Sequence, residues 1–193
     1  MNAKERIFTK DEIQFFVEHE SIQIIPNFIS QPIKFITGQF GPFTPGVSTT
    51  VPLWIALNLK KKGKCRIITP EIYEIENLQI TLDQELKHSS TELAPLEHYF
   101  FEIFQILAKS CPEDIEDFVK ARSLVEDLKM KRSIKITSSF QKMKNPERVL
   151  LVKNFTNYEL QMQKSILGEV LEQYGKLKDL EREKKGIKPI LMG

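Results

Sequence analysis

The chain has 193 residues, of which 41% are hydrophobic and 28% charged, and its formal net charge is +2. A chain of this length buries enough surface to fold without disulfides or metals, and so small a net charge gives no global argument for a nucleic-acid partner. The N-terminal segment is too polar for a secretory signal, and no run reaches the ~18 apolar residues of a membrane span. We therefore expect a soluble intracellular protein whose two cysteines are reduced thiols.

The first 70 residues predict a small β-rich module behind a short leading helix. Ile13, Phe16 and Val17 have helical spacing. Four later segments have the β-branched and aromatic content of strands and are bounded by turn residues; they are 21–28, 32–37, 51–59 and 65–70. The segment 38–46 is rich in Gly and Pro, so an ordered loop is expected there.

From residue 71 onward the apolar spacing becomes helical. Helices are predicted over 71–87, 96–109, 113–131, 133–143 and about 147–175. The sequence thus predicts an α+β fold that is mainly α, with a larger α-helical bundle domain after the β-rich domain. The expected boundaries are 1–70 for the small β-rich N-terminal domain, 71–175 for the α-helical domain and 176–193 for a charged tail, which we expect to fray.

Two predicted helices carry more apolar surface than one core contact needs. The helix over 147–175 has two apolar stripes, whereas an amphipathic surface helix needs one. Leaving four large apolar side chains in water would forgo roughly 6–12 kcal/mol, comparable to the net stability of a domain. Either neighbouring helices of this chain or another subunit must cover the second stripe. The candidate interface residues are Tyr99, Phe101, Phe155, Tyr158, Met162, Leu167 and Leu171.

The sequence offers no arrangement of residues that would support catalysis. The three histidines are scattered without metal-ligand spacing. The basic neighbours of Cys65 favour a lowered thiol pKa, but no histidine is placed to act as its base. The segment 41–48 has the glycine spacing of a phosphate-binding loop, yet Val47 stands where that loop has its lysine. We therefore predict no enzyme activity, no catalytic or metal-binding residue and no cofactor.

A basic run lies between the third and fourth predicted strands. Its candidate contact residues are Lys60, Lys61, Lys62, Lys64 and Arg66. A hairpin turn of this composition is naturally exposed, and Gly63 suits its positive φ. Contact with DNA or with the acidic patch of a partner is the other interpretation. Together with a second basic stretch over 129–144, this run defines an alternative function, an independent nucleic-acid-binding module. Trp54 is expected in the core instead of on a stacking surface.

Several short sequence words in the first module occur together in a known family. They are 24–28 (IIPNF), 41–43 (GPF), 45–46 (PG), 51–56 (VPLWIA), 59–60 (LK), 64–66 (KCR) and 70–71 (PE). Through these words the chain resembles the second PSF subunits of the GINS family, and weaker similarity continues to about residue 175. The family commonly has an aromatic residue directly after Pro-Glu; here Ile72 stands there and Tyr73 follows.

This resemblance implies a small β-rich domain ahead of a larger helical domain. It also implies a non-catalytic scaffold subunit that assembles with three other GINS subunits into a heterotetramer in the nucleus. The family further implies that the complex joins the MCM helicase ring and the Cdc forty-five protein in the replicative helicase, for initiation and fork progression of DNA replication. An indirect link to the leading-strand polymerase is also implied, while direct contact with DNA stays open. The family brings no catalytic residues and no cofactor.

Overall fold

A computed structural model of the protein describes residues 10–87, 93–142 and 154–163, together with the helical positions 168 and 175. The α-helices are α1 (Lys10–Glu18), α2 (Leu53–Lys61), α3 (Ile75–Lys87), α4 (Phe100–Ser110), α5 (Phe118–Lys142) and α6 (Asn157–Met162). The strands are β1 (Ser21–Pro26), β2 (Ile33–Phe35), β3 (Gly38–Phe40), β4 (Thr49–Pro52) and β5 (Cys65–Ile67). Short 3-10 helices cover Glu71–Tyr73 and Pro112–Asp114.

A three-stranded antiparallel sheet lies in the N-terminal part, with β1 between β4 and β5. Ile24 of β1 is the Cα partner of Thr49 on one side and of Ile67 on the other. Because successive side chains of a strand point to opposite faces, Ile22 and Ile24 are buried while Gln23 between them is exposed. The strands β2 and β3 form a separate two-stranded hairpin, so a short strand occupies the start of the segment predicted as a loop.

The third predicted strand is mostly a helix, so the prediction over 51–59 was wrong. β4 ends at Pro52, and α2 begins at the next residue. A continuous apolar run is compatible with either a buried strand or a helix, and the residues after Trp54 include strong helix formers such as Ala and Leu. The basic run is therefore the end of α2 and the turn into β5, not a hairpin turn. Gly63 has a φ of 66° directly after the helix, where glycine commonly ends helices.

The described residues fall into two compact units, described separately here. The first contains residues up to Leu82 together with Tyr99–Glu126, and the second contains Asp83–His98 together with residues from Asp127 onward. In the first unit, the hydroxyl of Tyr73 donates to the backbone oxygen of Phe100 at 2.8 Å. The rings of Tyr73 and Phe104 lie 5.4 Å apart between centroids. These buried aromatic side chains form a large part of the unit's core.

The helices predicted over 113–131 and 133–143 form one helix, α5, which begins only at Phe118. The acidic residues at 113–117 precede the helix, and Asp117 has a φ of 40°, so the helix begins later than predicted. The helix predicted over 133–143 contains β-branched residues, and it continues from the preceding one without a break; Ile136 is buried, and its packing outweighs a weak local propensity.

The last described helix also begins later than predicted. α6 starts at Asn157, although the sequence pattern placed a helix start near residue 147; residues 143–153 and 176–193 lie outside the described part of the chain. The protein is therefore an α+β protein that is mainly α, with a small antiparallel sheet region followed by a helical bundle. No helix in the described ranges is both long and apolar enough to cross a membrane.

Candidate interaction surfaces

An arginine at the centre of the second unit uses all of its hydrogen-bond donors inside the protein. Arg132 is fully buried. Its Nε donates to Oε1 of Glu159 at 2.6 Å, and its Nη1 donates to Oε2 of Glu85 and to the backbone oxygen of Ala94, both at 2.8 Å. Its Nη2 donates to the backbone oxygen of Asn154 at 2.6 Å and to Oε2 of Glu159 at 2.9 Å. These five bonds use the full donor set of a guanidinium group.

A lysine one turn further along α5 completes this network. Nζ of Lys135 lies 2.7 Å from Oε1 of Glu85 and also donates to the backbone oxygen of Glu85. Two cations therefore face two carboxylates, and the buried network carries no formal net charge. Arg132 and Lys135 were predicted to add to a basic surface over 129–144, and this prediction was wrong because both charges are used internally. Nζ of Lys129 lies 4.2 Å from the ring centroid of Tyr158, a cation–π contact.

The carboxylate from α6 is held by a helix cap that the sequence analysis missed. The side chain of Thr156 accepts the backbone N–H of Glu159 at 3.4 Å, and the backbone N–H of Thr156 donates to Oε2 of Glu159 at 2.9 Å. This reciprocal pair is a capping box, and its pattern, Thr followed three residues later by Glu, is readable from sequence. Arg132 gave no comparable signal, because the residues that it contacts lie 22 to 47 positions away in the chain.

The predicted interface residues differ in exposure. Met162 is 63% exposed, whereas Phe155 and Tyr158 are half-buried. Tyr99 is half-buried, and burial, with Glu20 and Glu102 adding negative charge nearby, raises its pKa. Phe101 is 4% exposed and packs inside the first unit, its ring centroid 5.2 Å from that of Phe100. Leu167 and Leu171 lie outside the described residues.

In the second unit, α5 carries two exposed apolar side chains that were not predicted as interface residues. Met130 and Ile134 of α5 are 51% and 58% exposed. Residues four positions apart lie on the same face of a helix, so these two form a continuous apolar strip. Met130 follows Lys129, which contacts Tyr158, and the strip therefore begins beside the part of α5 that meets α6.

Lys60, the first residue of the basic run, forms ion pairs within the first unit. Nζ of Lys60 lies 2.8 Å from Oδ2 of Asp114 and 2.9 Å from Oε1 of Glu113. The same Oδ2 of Asp114 accepts the backbone N–H of Ile67 at 2.9 Å. Burial opposes the charged form of Lys60, but the hydrogen bonds and charges of the two carboxylates outweigh it and raise its pKa. The hydrogen bond from Lys60 in turn lowers the pKa of Glu113.

The other basic residues of the run face solvent. Lys61, Lys62 and Lys64 are exposed, and within the described part of the chain their side chains have neither an ion pair nor a hydrogen bond. The side chain of Arg66 is 71% exposed, and its Nε lies 3.9 Å from Oδ1 of Asp114, at the outer limit of an ion pair. Free positive charge in this segment is therefore concentrated at the three lysines.

Both thiols are buried and favour the protonated form. Burial is the main cause that raises the pKa of Cys65 to about 11 and that of Cys111 to about 12. The expectation of a lowered pKa for Cys65 was wrong, because desolvation outweighs the nearby positive charge of Lys60. In the ranges that the structure describes, no group of three or more His, Cys, Asp or Glu side chains is placed to hold a metal ion.

Comparison with known proteins gives the same family for both parts of the chain. A family described as "PSF2 N-terminal domain" matches residues 9–68, and one described as "GINS complex protein helical bundle domain" matches residues 72–178. The chain is 33% identical over 168 residues to "DNA replication complex GINS protein PSF2" of Homo sapiens, which covers 86% of this chain and 90% of that protein. The protein of that name from Xenopus laevis is 32% identical over the same shares. The psf2 protein of Schizosaccharomyces pombe is 27% identical over 91% of this chain and 94% of its own length.

Proposed function

The chain belongs to the PSF2 family of GINS complex proteins, which act in DNA replication, and we propose that it is a non-catalytic scaffold subunit of a heterotetrameric GINS complex. The observation that carries this proposal is the match of both domain families, in order, along almost the whole described chain. The buried, protonated thiols agree with a role that makes and breaks no bonds.

The proposal extends to partners and location. The complex would contain this chain and three other GINS subunits, act in the nucleus, and join the MCM helicase ring and the Cdc forty-five protein in the replicative helicase. It would also connect that helicase indirectly to the leading-strand polymerase. These assignments rest on the family resemblance of the sequence. We also propose the domain division 1–70, 71–175 and 176–193, which is supported by the meeting of the two family matches between residues 68 and 72.

We assign the subunit interface to apolar side chains of the second unit. Tyr158 and Met162 of α6 are supported by their half-buried and exposed positions. Met130 and Ile134 extend the same kind of surface along α5. Exposed apolar side chains in such a strip are typical of protein–protein contacts. Tyr99, Phe155, Leu167 and Leu171 stay candidates by their sequence pattern, whereas Phe101 is too deeply buried to reach a partner.

The direct test is assembly. We would co-express the full chain with the other three GINS subunits of the same organism and measure the mass of the purified species in solution. A stable complex with one copy of each subunit is the expected result, with the isolated chain poorly soluble because its apolar strip is uncovered. A well-behaved monomer that ignores all three subunits would refute the scaffold proposal.

The nucleic-acid-binding alternative is less well supported by the structure. It needs the basic run and the stretch over 129–144 to present positive charge, yet Lys60, Arg132 and Lys135 each form internal ion pairs. If it were nevertheless correct, binding of the monomer to DNA would fall steeply with salt, and substitution of Lys61 and Lys62 would reduce that salt dependence.

A further inference from the structure

The first unit contains an open cleft of about 320 Å³ beside the basic run. It lies where α1, α2 and the end of α4 come together. Its lining residues are Glu18, Trp54, Leu57, Asn58, Lys61 and Ser110. None of these residues belongs to the interface proposed above, and the cleft volume is at the lower end of the range for ligand sites.

One wall of the cleft is the indole of Trp54, the single tryptophan of the chain. The sequence predicted this residue in the core, but it is half-buried. Phe35 of the hairpin packs against it edge-on, with the ring centroids 5.2 Å apart at an angle of 89°. Within the described residues, the indole N–H has no hydrogen-bond partner. With Leu57 beside it, the indole offers an apolar wall and an unused donor, the combination that makes tryptophan common at interaction sites.

The polar and charged residues of the cleft indicate which kind of ligand it would bind. The side-chain amide of Asn58 donates to the backbone oxygen of Trp54 at 2.8 Å, which fixes its orientation. At the rim, Lys61 is exposed and unpaired within the described chain, and Lys62 and Lys64 continue the positive charge. The one carboxylate of the cleft, on Glu18, accepts a hydrogen bond from Gln14 at 2.7 Å. The cleft itself is thus lined by one ammonium group, that of Lys61, and one carboxylate, and two further lysines without a partner among the described residues follow Lys61 in the chain.

We propose that this cleft binds a short acidic peptide segment of a partner protein. An apolar side chain of the segment packs against Trp54 and Leu57, and carboxylates on either side of it bind Lys61 and the following lysines. The volume accommodates one or two side chains, and a charged rim around an apolar centre is the usual anatomy of a protein-recognition site. This role is separate from subunit assembly, because it uses a different surface of the chain.

The same features disfavour a nucleic acid as the occupant. Single-strand binding sites stack successive bases on several aromatic faces, whereas this cleft offers one indole whose ring already contacts Phe35. The carboxylate of Glu18 repels any anion inside the cleft, so the part of the occupant that enters it must be uncharged. The lysines therefore favour carboxylates on a peptide whose centre is apolar.

The single tryptophan provides a direct measurement. We would titrate the full chain with a synthetic peptide that has a central Leu-Phe pair flanked by two aspartates on each side, and record Trp54 emission. Emission is expected to shift to shorter wavelength as the peptide excludes water from the indole. The Lys61→Glu variant should weaken the titration about tenfold, equivalent to about 1.4 kcal/mol. Leu57→Gln should weaken it through loss of apolar contact.

Matched controls separate charge recognition from general attraction. Lys120→Glu makes the same charge change at an exposed position that does not line the cleft, and it should leave the titration unchanged. A peptide with asparagine in place of each aspartate should bind at least tenfold more weakly. Equal binding of that neutral peptide, absence of any emission shift with the acidic one, or tighter binding of a short oligothymidylate would each overturn the proposal.

The peptide titration and the assembly experiment test the two proposals independently. Lys61→Glu should enter the four-subunit complex as efficiently as the unaltered chain. If the isolated chain is insufficiently soluble, the complex can be reconstituted with 5-fluorotryptophan only in this chain, so that the fluorine signal of Trp54 reports peptide binding. If the unaltered chain assembles normally but gives no response to the peptide, the cleft proposal alone is refuted, whereas a failure of assembly with a normal response would refute only the scaffold role.

Discussion

At the scale of single residues, Arg132 is the side chain whose surroundings leave the least freedom for substitution. Its guanidinium is fully buried and donates to two carboxylates and two backbone oxygens. Removal of one partner of a buried ion pair leaves the other charge uncompensated, which is usually more costly than the net value of the pair. Arg132 therefore forms the ion pair with Glu159 and shares Glu85 with Lys135.

We predict that Arg132→Met destabilises the chain by about 3–5 kcal/mol. Urea unfolding followed by circular dichroism measures the change. Lys131→Met, at the neighbouring exposed position, is the matched control and should change stability by less than about 0.5 kcal/mol. Arg132→Lys should recover little, because an ammonium has three donors in place of five and cannot span both carboxylates in the same plane.

A double variant tests the importance of this ion network more stringently than the single variant does. Adding Glu159→Gln to Arg132→Met removes the buried charge that the single variant leaves unpaired, because Glu85 still pairs with Lys135. The double variant should therefore lose less stability than the sum of the two single variants. Strict additivity, or a single-variant loss below about 1 kcal/mol, would show that the network is solvated and contributes little.

The two thiols give a prediction at the same scale. Burial raises the pKa of Cys65 to about 11 and that of Cys111 to about 12, so thiolate is scarce at pH 8 in the folded chain. Because thiolate is the reactive form, alkylation by iodoacetamide at pH 8 should be much slower for the native chain than for the chain in urea. Rapid modification of Cys65 in the native chain would contradict this assignment.

The raised pKa values of the thiols also determine how the free energy of unfolding changes with pH in the alkaline range. Between about pH 9 and 11, the unfolded chain loses its thiol protons while the folded chain keeps them. The unfolded state then binds fewer protons, so the free energy of unfolding falls as the pH rises. The raised pKa of Lys60 acts in the same direction, because the stabilisation from its protonated form disappears as the pH passes through its folded pKa.

At the scale of elements, Asp114 joins three parts of the first unit. It lies at the end of the second 3-10 helix, forms an ion pair with Lys60 at the end of α2, and accepts the backbone N–H of Ile67 in β5. Its own backbone oxygen accepts the hydroxyl of Thr69 at 2.8 Å. This buried carboxylate therefore fixes where the end of α2 and the last strand lie against each other.

We predict that Asp114→Ala costs about 2–4 kcal/mol, because hydrogen bonds to a buried charged group are lost and the backbone N–H of Ile67 is left without its acceptor, although Lys60 keeps Glu113. Glu113→Gln is the matched control, since Glu113 also forms an ion pair with Lys60 but its side chain is mostly exposed. An exposed pair contributes at most about 1 kcal/mol. Equal losses of stability for the two variants in urea unfolding would contradict the central role of Asp114.

Sequence patterns predicted the elements whose signals are local. Alternating burial made β1 readable, and helical spacing identified α1. The segment 51–59 failed because its uninterrupted apolar run fits a strand and a helix equally, and only the contacts of α2 decide between them. The start of α6 was missed although Thr156 and Glu159 carry a readable cap. The ion network could not be predicted, because its partners are separated by up to 50 residues.

At the scale of the whole molecule, several basic side chains are used inside the fold, while a number of large apolar side chains are exposed. Most of the basic residues suspected of binding DNA in the stretch over 129–144 that the structure describes contact this chain instead, through Glu85 or the ring of Tyr158. Exposed apolar side chains occur in both units, and those of the second unit include Met130, Ile134 and Met162. This distribution is expected of a subunit that acts through protein contacts, and it agrees with the family assignment.

The apolar strip on α5 gives a prediction for the assembled protein. Met130→Gln combined with Ile134→Gln should increase the solubility of the isolated chain, because water no longer faces a hydrophobic strip, and should weaken its incorporation into the four-subunit complex. Size-exclusion chromatography with mass measurement follows both effects. Ile36→Gln removes a fully exposed apolar side chain from the hairpin and should leave assembly intact. Normal assembly of the double variant would mean that this strip of α5 does not contact another subunit and that the interface must lie elsewhere on the helical bundle.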